Sequence, residues 1–134
     1  MSEGFTRGRL PDDGERMAML GEQLGVTTFG FRQITLKPGQ RNRVHRHRGQ
    51  EELYLVLGGR LTIELGPDEA EELGEGELAL VSPDTRRRLA NRGDVPCVVV
   101  AVGAAGTHER ADGEAFLDWD DTEPKSPQDV PLPE

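Results

Sequence analysis

Between Val26 and Ala104 the chain turns back on itself every few residues, and this limits its fold more than any other feature. "VTTFGFRQITL" is rich in β-branched and aromatic side chains and stops at the "KPG" turn, residues 37–39. "RNRVHRH" alternates, "EELYLVL" reads as an apolar strand, and "GGR" at 58–60 is a tight turn into "LTIEL". The acidic loop "GPDEAEELGEGE" leads to "LALV", while "SPD" and "RGDVP" break the chain before "RRRLAN" and "CVVVAVGA". About seven or eight short strands follow from this spacing, with no convincing amphipathic helix before residue 108. That is the pattern of an all-β antiparallel sandwich or barrel.

A chain of 134 residues suits one domain. Residues 1–24 read as an N-terminal extension in which "RMAMLGEQL" fits either a helical turn or a strand entering the sheet. Residues 25–106 form the barrel, and residues 107–134 a C-terminal segment. There "EAFLDWDD" is expected to pack Phe116 and Trp119 onto the body. "TEPKSPQDVPLPE", with four prolines and no periodicity, is expected to be a disordered tail.

The net charge of −9 argues against nucleic acid or an anionic membrane as partner. Arginines nevertheless gather at 41–48 and 86–88, which fits a small anionic metabolite held in a site. The lone cysteine, Cys97, reads as a buried thiol in a reducing compartment. No apolar stretch has membrane-spanning length and the N-terminal stretch lacks the apolar core of a signal peptide, so the expected location is the cytoplasm.

Chemistry concentrates in "VHRHRGQEELYLVLGG", which holds two of the three histidines. Alternate side chains of a strand share a face, so His45 and His47 project together, into the interior if the sheet closes. A carboxylate from the next strand can reach the same point, giving two imidazoles and one acid around a metal with open positions for water or substrate. Arg41 and Arg43 share that face if the strand is regular so far back. Glu51 is expected in solvent, opposite Glu52. Met17, Met19 and Phe116 read as packing, and His108 as a surface residue.

At these residues the chain resembles the cupin superfamily. Its first motif, G-x5-H-x-H-x(3,4)-E-x6-G, is met by Gly39, His45, His47, Glu52 and Gly59. Glu51 with Gly58 fits the shorter spacing, and Glu52 is favoured because the family's ligand glutamate directly precedes the hydrophobic strand. The second, G-x5-P-x-G-x2-H-x3-N, is met in spacing by "GELALVSPDTRRRLAN". Gly76 and Asn91 match; Ser82, Asp84 and Arg87 replace the proline, glycine and histidine. The resemblance implies a double-stranded β-helix, or jelly-roll, barrel. It also implies a divalent transition metal (Fe, Mn, Ni or Zn) on His45, His47 and Glu52. Arg87 stands where the family supplies its third histidine, and a guanidinium has no lone pair to ligate with.

Three arrangements are open for Arg87: facing a bound anion, pairing with Glu52, or replaced inward by Arg86 or Arg88 after a register slip. One or two arginines of that run are expected in solvent. Arg87, Arg43 and Tyr54 are the substrate-binding candidates, although a tyrosine there is commonly core with a satisfied hydroxyl. The resemblance implies a metal-dependent dioxygenase, decarboxylase or isomerase. A second reading is a metal-free, non-catalytic ligand-binding cupin with Arg87 paired to Glu52. A third is a metal-independent isomerase, similar to the sugar-nucleotide epimerase cupins, with a histidine as base. Many small cupins are dimers, and "VTTFGFRQITL" is the expected edge or outer face for a homodimer.

Overall fold

Along β4 (Glu51–Gly58) burial alternates: Glu52, Tyr54 and Val56 point inward while Glu51, Leu53, Leu55 and Leu57 point outward. This single strand lies at the centre of the site. The computed structural model describes residues 3–12, 14–104 and 112–133; His108 lies outside the described residues.

Two sheets build the barrel. The first runs β1 (Met17–Ala18), β2 (Gly30–Leu36), β9 (Cys97–Ala104), β4 and β7 (Leu78–Val81), all antiparallel. In the second, β6 (Ala70–Leu73), β5 (Leu61–Glu64) and β8 (Arg88–Ala90) form one group. β10 (Gly113–Phe116) pairs with β3 (Val44–His47). Single bridges, Arg41 to Ala90 and His45 to Arg87, join the two groups. The core between the sheets includes Ile34, Leu36, Tyr54, Val56, Leu61, Leu89 and Val99, all at most 3% exposed. Each aliphatic side chain so buried contributes roughly 1.5–3 kcal/mol of transfer free energy.

The turn after β4 can be made only by glycine. Gly59 has φ of 73°, and a Cβ there would lie 2.3 Å from the Pro96 carbonyl oxygen. Asn91 fixes the far end by donating to the carbonyls of Leu36 and Val95 and accepting from Gly93 N–H. Both matched motif residues therefore act on the backbone.

Three expectations change. "RMAMLGEQL" is both alternatives in succession, β1 and then a single helical turn, α1 (Leu20–Leu24). β2 is not an edge, because β1 pairs with it and Gln33 donates to the Pro11 carbonyl. The exposed apolar face lies instead on edge strand β7, where Leu78 and Leu80 are 59% and 62% exposed. Third, the C-terminal stretch is packed. Lys125 bridges Ala115, Pro127–Asp129 forms a 3-10 turn, and Val130 is buried. Its prolines already restrict the unfolded chain, so docking it costs less entropy than its composition suggests. No helix among the described residues is long and apolar enough to cross a membrane.

Candidate functional site

His45 and His47 lie on β3 and Glu52 on β4, and their ligand atoms fall within 4.8 Å of one another. His45 Nε2 is 3.6 Å from Glu52 Oε1, and His47 Nε2 is 3.5 Å from Glu52 Oε2. The two rings stand edge to face, their centroids 5.7 Å apart. The Glu52 side chain is 3% exposed, and the two histidines are 13% and 11% exposed.

Both rings aim Nε2 at the site, and the outer nitrogen of His45 is hydrogen-bonded. His45 Nδ1 lies 3.0 Å from the Arg43 carbonyl, a geometry that fixes the proton on Nδ1 and leaves the lone pair on Nε2. His47 Nδ1 lies 3.4 Å from Asp112 Oδ2. Both His47 ring nitrogens are buried without a hydrogen-bond partner. Burial is the main cause lowering the His45 pKa, against the pull of Glu52, so this ring is neutral. Burial alone would raise the Glu52 carboxyl. The His45 and His47 imidazoles facing it and the Arg32 charge more than offset it and hold the group well below the usual carboxylate range.

Such a set fits a transition metal. Ligand atoms about 2.0–2.2 Å from one ion lie roughly 3–3.5 Å apart when its bond angles are near 90–110°, close to the separations here. Two imidazoles and one ionised carboxylate, with the nitrogens of one imidazole buried and unsatisfied, are suitable donors.

Arg87 is the second arrangement foreseen, a partner of Glu52. Its strand position lies directly opposite His45, each backbone N–H donating to the other's carbonyl at 2.9 Å. The side chain is fully buried. Nη2 donates to Glu52 Oε1 at 2.9 Å, Nη1 to the carbonyls of Ser82, Pro83 and Thr85, and Nε to the Tyr54 hydroxyl. Burial opposes its charge, but Tyr54 and Glu52 outweigh burial and its pKa is raised. Arg87 is therefore not a wall of the cavity but a clamp behind Glu52, contrary to a substrate-binding role. Nor does the register slip. Arg86 lies outside, 3.5 Å over the Phe116 ring and donating to the Trp119 and Asp121 carbonyls. Arg88 and Arg92 flank the buried Glu64. The expected solvated member of the 86–88 run is thus engaged as well.

Tyr54 is fully buried, and its hydroxyl donates to Glu52 Oε1. Burial, then the Glu52 charge, pushes its pKa up, so it stays protonated as a donor. The hydroxyl supports Glu52, while the ring forms part of the cavity wall.

A cavity of about 560 Å³ opens in front of these groups. Arg16, Arg32, Arg43 and Arg48 line it, against Glu52 as the sole acid among its lining residues. Arg43 is placed there as expected; Arg41 is not. Gly103, across the ladder from Glu52, keeps the floor open, since a Cβ there would meet the Glu51 carbonyl at 3.2 Å. Ser126, Pro127, Gln128 and Leu132 form part of the wall, so the C-terminal segment closes the site.

Arg16 of the cavity wall escaped the sequence reading, and so did Arg32 and Asp112. Arg32 donates to Glu52 Oε2 at 2.6 Å, and its Nε is buried without a partner. Strand alternation from the apolar Ile34 and Leu36 could have found it. Asp112 accepts from the backbone N–H groups of Gly49 and Gln50 as well as facing His47, and no local pattern announces that.

The Cupin domain family model matches residues 32–103, more than half of the chain. L-ectoine synthase from Rhodococcus opacus (strain B4) is 32% identical over 75 residues, 56% of this chain and 54% of that protein. The chain thus spans about half the length of the curated relatives it matches. Among solved structures, a cupin protein from Bacteroides fragilis superposes with a TM-score of 0.69 at 23% identity, covering 81% of this chain and 91% of that one. A sugar phosphate isomerase of the cupin superfamily from Silicibacter pomeroyi gives 0.63 at 22%, covering 96% and 87%. At these identities the structures support the fold alone. With the matched family model, the jelly-roll topology and the placement of His45, His47 and Glu52 together, the chain belongs to the cupin domain family.

Proposed function

We propose that this cupin binds a divalent transition metal (Fe, Mn, Ni or Zn) through His45, His47 and Glu52. In the cavity beside it the protein takes a small anionic metabolite, as a metal-dependent enzyme of the dioxygenase, decarboxylase or isomerase class. The observation that carries the metal reading is the buried, unsatisfied His47 Nε2, converging with His45 Nε2 on one carboxylate. Four lining arginines in a chain of net charge −9 support the anionic metabolite. The enzyme name of the ectoine synthase relative supports turnover over ligand binding alone.

When bound, the metal would act as a Lewis acid on an oxygen of the substrate. The chain's own groups do the rest. His45 presents a lone pair held in place by the Arg43 carbonyl, and Asp112 stands 3.4 Å from the outer nitrogen of His47. Arg87 and Tyr54 lock Glu52 from behind. Arg32, on the cavity side, is the donor best placed to stabilise negative charge developing near Glu52.

One observation favours the second reading. Glu52 Oε1 already accepts from Arg87 and Tyr54, and Oε2 from Arg32, so its charge is met without an ion. A metal-free anion-binding cupin would have this site. Elemental analysis of protein purified without chelator separates the two. Near-stoichiometric metal, lost in His47→Ala, is the expected result; no metal and no uptake of Mn, Fe, Ni or Zn would establish the metal-free reading.

A further inference from the structure

The cavity has a second cationic centre, made by residues that stand just before two strands. Arg16 precedes β1 and Arg43 precedes β3, and both line the cavity wall. Each is tethered by one main-chain acceptor: Arg16 Nη2 donates to the Arg41 carbonyl, Arg43 Nε to the Val130 carbonyl. Among the described residues no carboxylate pairs with either guanidinium. Of the other buried or half-buried arginines, Arg32 and Arg87 share Glu52, Arg46 has Glu114 and Arg88 has Glu64, while Arg86 lies outside the cavity over the Phe116 ring. Arg16 and Arg43 thus put two like charges on one cavity wall with no carboxylate among the described residues to balance them. A folded chain tolerates that arrangement where a ligand supplies the missing charge.

We propose that Arg16 and Arg43 form an oxyanion subsite that grips a phosphate or carboxylate group of the metabolite. This rests on the anionic-metabolite reading and narrows it. At about 3.3 Å per residue, Arg43 stands roughly 7 Å along the strand from His45 and 13 Å from His47. The ligand therefore carries a terminal oxyanion several bonds away from the end that faces Glu52. Two guanidiniums match either head group, since the planar fork of each can bond two oxygens. The C-terminal segment belongs to the subsite, because its Val130 carbonyl orients Arg43.

The test uses the full chain, stripped of metal by chelator, titrated with inorganic phosphate and separately with malonate by calorimetry. Wild type is expected to bind at least one of them, the tighter arm identifying the head group. Arg16→Gln and Arg43→Gln should each weaken that binding roughly tenfold or more, the loss of a hydrogen bond to a charged group. Arg43→Gln also releases Val130, so Arg16→Gln, which leaves that anchor intact, is decisive. Wild-type affinity in Arg16→Gln overturns the subsite, as does the absence of binding of either anion to wild type at millimolar concentration. Retained, arginine-dependent anion binding in a chain that takes up no metal would instead overturn only the metal reading.

Discussion

Arg87 occupies the place of a ligand and uses it to hold another ligand. Replacing it with alanine leaves the buried Glu52 carboxylate and Tyr54 hydroxyl short of a partner, and should cost about 3–5 kcal/mol in urea unfolding. Arg87→His exchanges stability for affinity. An imidazole cannot reach the carbonyls of Ser82, Pro83 and Thr85, so the urea midpoint falls. A donor nitrogen now replaces a positive charge, so metal binding measured by competition tightens. Unchanged metal affinity would mean that Arg87 does not limit the site. Asp112→Asn should weaken metal binding about 10–100-fold through His47 orientation, read by the same competition with a fluorescent chelator.

The same residues set the response to acid. The folded His45 ring resists protonation, so the unfolded chain binds more protons just below its ordinary pKa, near 6.5. Stability therefore falls as pH drops below that value. The Glu52 contribution is complete above its unfolded pKa, near 4.5, and is lost as pH falls toward its lower folded value. Urea midpoints of metal-free protein should decline in two stages, and His45→Gln should remove the upper one.

At the scale of elements, the alternation of β4 was legible because one face is buried and the other is not, which placed Glu52 inside and Glu51 outside. H-x-H with the acid five residues on was legible for the same reason. The C-terminal segment was not, because its anchoring runs through main-chain carbonyls, at Trp119, Asp121 and Val130, that arginines from elsewhere collect. Carbonyls carry no residue code. Ending the chain after Glu123 should open the cavity wall and remove the burial of Val130, worth about 1.5–3 kcal/mol by itself. Differential scanning calorimetry would record this as a lower melting temperature, with the anion affinity of the Arg16–Arg43 pair reduced as well.

For the whole molecule, two sheets close around one site, and stretches near both ends of the chain complete its wall. The barrel is shared with differently named proteins, so the chemistry must be read from the arginines and histidines rather than from topology. The permanent guanidinium behind Glu52 has a last consequence. In a site balanced only by an ion, folding waits on that ion; here the carboxylate is neutralised by a charge the chain itself encodes. Chelation should leave the urea midpoint of the metal-free barrel where it stands, while saturating metal raises it. Under the proposed metal reading, a cell starved of transition metals would keep its full complement of folded protein, ready to reload without new synthesis when the metal returns.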